Sequence, residues 1–97
     1  MSVYLIGTIT IHDRARYTDY ENKFMEVFEQ FDGRILAVDE NTQAVEGTWD
    51  STRTVLMEFP SVDAASRWYE SPEYQAIVQD RLASSEGNTV LVQGLAD

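Results

Sequence analysis

Ninety-seven residues, 43% of them hydrophobic, describe one small globular domain, 1–97, with about two-thirds of the unfolded chain's surface to bury and no room for a separate catalytic domain. The net charge of −10 is uneven: residues 1–38 carry six acids and four bases (−2), residues 39–97 eleven acids and three bases (−8). A field of that sign repels phosphate, which argues against nucleic acid and anionic membrane as partners, and the absence of cysteine removes disulfides, thiolate nucleophiles and cysteine-based metal sites together.

The chain starts with an apolar run that has no basic flank and gives way to threonines by Ile11. It reads as neither a signal peptide nor a membrane span, and the expectation is a cytoplasmic protein. Residues 3–11 alternate instead: Val3, Leu5, Gly7, Ile9 and Ile11 share one face, and Tyr4, Ile6, Thr8 and Thr10 the other. That is a strand with one apolar and one mixed face. Asp13 is placed to cap a helix. Tyr17, Tyr20, Phe24, Val27, Phe28 and Phe31 then recur at helical spacing as one aromatic stripe, and Gly33 is the expected left-handed stop.

Residues 34–38 form a short strand, 39–42 a polar turn, 44–49 a further strand segment and 50–52 a second turn. Arg53 to Phe59 is the best strand pattern in the chain. Pro60 cannot continue a central ladder, and Ser61 caps the helix that follows, with Ala65, Trp68 and Tyr69 on one face. Ser71-Pro72-Glu73 restarts it with a cap, a proline at the first helical position and an acid in the first turn. Tyr74, Ile77, Val78 and Leu82 continue the apolar face, Gly87 ends it, and 88–95 is the last strand.

The order β-α-β-β-α-β is that of a ferredoxin-like α+β fold, an antiparallel sheet with its helices on one face. The opposite face would then stand bare, which a protein of this size avoids. A second copy related by two-fold symmetry is the simplest cover, with Ile6 and Leu56 as the large apolar residues there.

Several segments in fixed order resemble one family. They are Tyr4, Tyr17 and Tyr20, then Gly33-Arg34-Ile35-Leu36, Glu46-Gly47-Thr48-Trp49, Arg53 to Ser61, Ala65 to Gln75 and Arg81. Together they are similar to the DUF1330 proteins over Tyr4 to Gly94, nearly the whole chain. The resemblance implies a dimeric α/β barrel in which two ferredoxin-like sheets pack face to face. That superfamily holds cofactor-free quinol-type monooxygenases, muconolactone isomerases and haem-binding members, so it implies no single reaction. Two departures stand out. Val38-Asp39-Glu40-Asn41 occupies a place where many relatives have a basic residue and paired glycines, and no carboxylate lies near Thr8.

Among residues able to carry chemistry, Glu58 comes first. Alternation puts Thr54, Leu56 and Glu58 opposite the apolar set Val55, Met57 and Phe59, so Glu58 is expected in a dimer-enclosed space. Desolvation there would raise its pKa towards that of a general base; the plainer reading is an ion pair with an arginine. Arg34, Arg53 and Glu46 are its expected neighbours, the arginines suited to a substrate carboxylate or enolate. His12, the one histidine, suits proton transfer; alone and without cysteine it makes no metal site, and no cofactor is expected. Tyr4 is the ring best placed to wall an apolar pocket, whereas Trp68 and Tyr69 read as helix-to-sheet packing.

Two functional readings remain open. One is a cofactor-free enzyme of monooxygenase or isomerase type, using proton transfer by Glu58 and His12 on a small apolar or carboxylate-bearing metabolite. The other is a non-catalytic dimeric module that binds a small ligand or is purely structural.

Overall fold

The computed structural model describes residues 2–95. Its elements are β1 (Val3–Ile11), α1 (Arg14–Phe28), β2 (Arg34–Asp39), β3 (Arg53–Phe59), α2 (Val62–Tyr69), α3 (Pro72–Ser84) and β4 (Ser85–Gln93). Side chains set the helix starts. The Asp13 carboxylate accepts from the Arg16 amide at 3.2 Å, and Ser61 Oγ and Ser71 Oγ accept from the Ala64 and Tyr74 amides at 3.1 Å. Each bond satisfies a first-turn N–H that has no partner within its helix. Pro72 at the start of α3 sacrifices no bond, because that N–H would be an orphan in any case.

The four strands form one antiparallel sheet in the order β2-β3-β1-β4, which with the helices makes the ferredoxin-like α+β fold. The register places Tyr4 opposite both Glu58 and Val92, Ile6 opposite both Leu56 and Val90, and Arg34 opposite Glu58. The helices cover the other face, where Val3, Leu5, Ile9, Val55, Met57 and Phe59 are buried as alternation requires. The core is aromatic. Trp68 stacks on Phe59 with centroids 5.5 Å apart, meets Phe28 edge-on at 5.6 Å, and lies 4.3 Å from Tyr74. The result is a two-layer slab of 37 × 37 × 16 Å, whose outer sheet face presents Tyr4, Ile6, Leu56, Val90 and Val92 with no layer over them.

Four local expectations change. Residues 44–49 form no strand: β1 and β2 occupy both edges of β3, and Gly47 takes a left-handed φ of 78° that interrupts an extended run. Helix α1 stops at Phe28 with a right-handed cap at Glu29, and Gly33 is not left-handed. Glycine is needed there for space, since a Cβ would meet Phe59 Cε1 at 2.5 Å and Phe28 Cζ at 2.6 Å. Gly87 does not end a helix either. Helix α3 passes straight into β4 at Ser85, where the Ser84 carbonyl accepts from the His12 and Asp13 amides at 2.9 and 3.1 Å. Gly87 then sits in the ladder opposite Ile9, where a Cβ would press on the Thr8 carbonyl oxygen. Leu82, expected on the apolar face of α3, is exposed.

Candidate functional site

Between the helix-covered face of the sheet and the three helices lies a cavity of about 180 Å³. Its floor is Leu5, Gly7, Val55 and Met57, and its roof is the aromatic side of α1 with Trp68 and Tyr74. Exposed Met25, Val38 and Tyr69 stand at the rim. The volume slightly exceeds the ~150 Å³ of apolar cavities that accept a benzene ring.

The apolar walls carry a few convergent polar groups, the pattern of small-molecule sites. Tyr20 and Tyr74 join hydroxyl to hydroxyl at 2.8 Å, inside the protein. They come from α1 and α3, and the helix-to-helix packing sets that distance. Burial pushes the Tyr20 phenol well above its ordinary range, with the Tyr74 oxygen adding to the effect. Burial also raises Tyr74, while the Arg81 guanidinium beside it pulls the other way. Both phenols are therefore proton donors at neutral pH. Burial raises Tyr17 likewise, against the pull of Arg53.

Two arginines enter the wall. Arg53 opens β3, and its side chain is 14% exposed. Its Nη1 lies 2.6 Å from Glu40 Oε2 and 3.2 Å from Glu21 Oε2, and its Cζ lies 5.5 Å from the Tyr17 ring centroid. Arg81 differs, for among the described residues no carboxylate lies within 4.0 Å of its guanidinium. Burial works against its charge, but the Tyr74 and Tyr20 oxygens outweigh that and leave its pKa raised. Among the described residues, two buried donors in this wall find no partner, Arg53 Nε and Trp68 Nε1. A buried donor without a partner costs about 1–3 kcal/mol, and an incoming acceptor could relieve it. Glu21 is the one carboxylate in the lining, and Arg53 already holds it. The chamber thus offers donors and positive charge to an acceptor-rich ligand with a flat apolar body.

Of the residues singled out from sequence, Arg53 alone lines this cavity. Glu58, Arg34 and Tyr4 do come together, but on the outer sheet face. There the Arg34 guanidinium pairs with Glu58 Oε1, with side-chain exposures of 70% and 19%. That bond first, then one from Ser2, holds the Glu58 carboxyl below its ordinary range. The direction is opposite to the rise expected from desolvation, because the charged form is paired with Arg34. Arg53 is not its neighbour, since the strand's alternation sends residues 53 and 58 to opposite faces. Tyr4 lies on the outer face, opposite Glu58, as the alternation of β1 requires. His12 is exposed at the β1–α1 junction, and Glu46 is exposed in the loop before β3, where no described side chain pairs with it.

Sequence reasoning passed over Tyr17, Tyr20, Tyr74, Trp68 and Arg81 as site residues because a stripe at helical spacing reads as core. The available signal was chemical: three positions of that apolar face carry phenols where phenylalanine would pack as well. Among the described residues, no group of three or more histidine, aspartate or glutamate side chains is close enough to hold a metal ion, and no helix is long and apolar enough to cross a membrane.

Fold and cavity together define a ferredoxin-like α+β protein with a ligand-sized chamber between sheet and helices. The chain belongs to DUF1330, a domain of unknown function, whose family model matches residues 2–95. Solved structures are similar over its whole length. A protein of unknown function from Rhodopseudomonas palustris superposes with a TM-score of 0.82 at 17% identity, covering 99% of this chain and 84% of that one. SnoaB, a cofactor-independent oxygenase from Streptomyces nogalater, does so with a TM-score of 0.72 at 14% identity, covering 99% and 95%. A dimeric protein of unknown function with a ferredoxin-like fold from Bacteroides fragilis gives 0.62 at 20% identity, covering 96% of each chain. At such identities the likeness is one of fold. No curated protein matches the chain.

Proposed function

We propose that this protein is a homodimeric, cofactor-independent enzyme of oxygenase or isomerase type. Its substrate is a small flat molecule with an acidic oxygen (a phenol, an enol or a carboxylate), held in the sheet–helix cavity. The observation that carries this reading is Arg81, a guanidinium in the cavity wall with no carboxylate partner among the described residues and the Tyr20–Tyr74 phenol pair beside it. A cation left without a counter-ion in a partly dry wall favours an anionic ligand. The substrate's ring lies against Leu5, Phe24, Met57 and Trp68, and its oxygen takes bonds from Arg81 and the Tyr74 hydroxyl. Both groups stabilise the anion more than the neutral acid and so favour loss of the proton. The proton leaves to water, because Glu21 is bound to Arg53. Arg53, whose charge Glu21 and Glu40 already balance, offers the substrate only its unpartnered Nε–H. We assign no catalytic role to Glu58, His12, Arg34, Glu46 or Tyr4, which lie outside the cavity wall.

One observation favours a second reading, a binding module without turnover: among the described lining residues there is no free carboxylate or imidazole to act as base. Resorcinol and salicylate should each raise the melting temperature of the wild type. Arg81→Gln should abolish that shift and Glu58→Gln should keep it. If Arg81→Gln responds like the wild type, or neither compound shifts melting, the site assignment fails. Oxygen uptake or an isomerised product from a bound compound supports the enzyme; binding without conversion supports the module.

The uncovered outer face, with Ile6 between Leu56 and Val90, supports the dimer, as does the dimeric description of the Bacteroides fragilis protein. A lysine at 56 would put a charge in the middle of that face. Leu56→Lys should therefore halve the mass measured by light scattering, and a wild-type monomer would refute the dimer. The cysteine-free composition supports a cytoplasmic setting.

A further inference from the structure

A groove of about 280 Å³ lies beside the first cavity, between α2 and the edge strand β4. Leu5, Tyr69 and Thr89 line both spaces, so those side chains are the partition between them. Leu91 shows why the groove exists. It pairs with buried Leu5 and belongs to the helix-covered face, yet it is 43% exposed. Helix α2 does not reach over β4, and an apolar trough stays open there. Ser66 and Ala65 of α2 form its opposite wall. Tyr69, at the last turn of α2, leans on the aromatic core with its ring 5.5 Å from Tyr74 and 6.0 Å from Trp68. Its other side faces the groove.

We propose that the groove is the second half of the ligand site. It takes an uncharged apolar extension of the molecule whose acidic head occupies the inner cavity, and Tyr69 is the specificity-determining residue between the two. This rests on the reading of the inner cavity given above. Three observations carry it. The inner chamber has room for about one ring, while the space on the other side of the shared Leu5, Tyr69 and Thr89 is larger. The groove wall is mostly apolar, so a tail placed there leaves water. Its one charged lining residue is Glu70, which repels an anionic tail. The ligand class is then an amphiphile: a phenol, enol or carboxylate head with a neutral alkyl chain or second ring attached.

The test uses two probes with the same head, resorcinol and 4-hexylresorcinol, titrated calorimetrically into the full-length protein. Each methylene buried in a dry groove strengthens binding by about fourfold. Even partial burial of the tail should make the hexyl compound at least ~30-fold tighter on the wild type. Ser66→Trp fills the groove from a position that does not line the inner cavity. It should leave resorcinol within about twofold and cut the tail's gain below about threefold. Leu91→Gln, a milder change on the facing strand, should lower the gain in the same direction and covers the case in which the tryptophan disturbs folding. Equal affinity of the two probes on the wild type, or a tail gain that both variants leave intact, overturns the inference and spares the parent reading. Failure of both probes to bind the wild type overturns the parent reading and this inference with it.

Discussion

The buried hydroxyl pair offers the most demanding test of the site's geometry, because its two members are not equivalent. Tyr20 OH has one partner, Tyr74 OH, at 2.8 Å, and Tyr20 is 6% exposed. Tyr74 has that partner and also the Arg81 guanidinium beside it. Tyr74→Phe therefore strands the Tyr20 hydroxyl in a dry place, a loss of about 2 kcal/mol within the range for a buried unsatisfied group. Tyr20→Phe leaves Tyr74 with Arg81 and costs about 1 kcal/mol. The double variant removes both hydroxyls and strands neither, so it should cost about as much as Tyr74→Phe alone, with a coupling of about 1 kcal/mol. In a domain of this size 1 kcal/mol moves the midpoint by roughly 4–8 °C. Thermal and urea denaturation at one fixed protein concentration would measure all four proteins, since a dimer's stability depends on concentration. Strictly additive losses, or a larger loss for Tyr20→Phe than for Tyr74→Phe, would refute the arrangement of hydroxyls described here.

Two further outcomes follow from the sheet. Because Arg34 and then Ser2 hold Glu58 below its ordinary range, the unfolded chain binds that proton more readily than the folded one. The pair's contribution is then complete above the unfolded pKa of about 4.3 and is lost as pH falls through the lower folded value. Melting temperature followed from pH 7 to 3 should fall less steeply for Glu58→Gln than for the wild type, and equal slopes would show that the pair does not form in solution. Gly87→Ala puts a methyl group between β4 and β1 against the Thr8 carbonyl, with Ile9 Cα 3.0 Å away. The ladder must splay, at a cost of about 1–3 kcal/mol as in other overpacked sites, and a melting temperature unchanged from the wild type would falsify the Gly87–Ile9 register.

Much of the fold is legible because local chemistry and burial agree. The alternation in β1 and β3, the Asp13, Ser61 and Ser71 caps and the proline at 72 all act as read, and the β-α-β-β-α-β order implied the sheet. The misreadings share one cause. Gly33 and Gly87 look like helix stops, yet they are glycines because distant side chains or a neighbouring strand come too near for a Cβ. Residues 44–49 have a plausible strand composition, but β1 and β2 already flank β3 on both sides and Gly47 turns left-handed. Such facts depend on what lies across the fold rather than along the chain.

The site shows the same division. Alternation by itself determined that Glu58 and Arg53 point to opposite faces and that a sheet face is left uncovered by helices. It could not say which side of the sheet encloses space. Only tertiary packing decided that, by spacing α1 and α3 so that four phenols, an indole and two arginines from separate elements close on one chamber. Periodicity reports which way a residue faces. Whether the facing side chains meet or leave a gap depends on their summed volumes across the layers, a property of the packed whole.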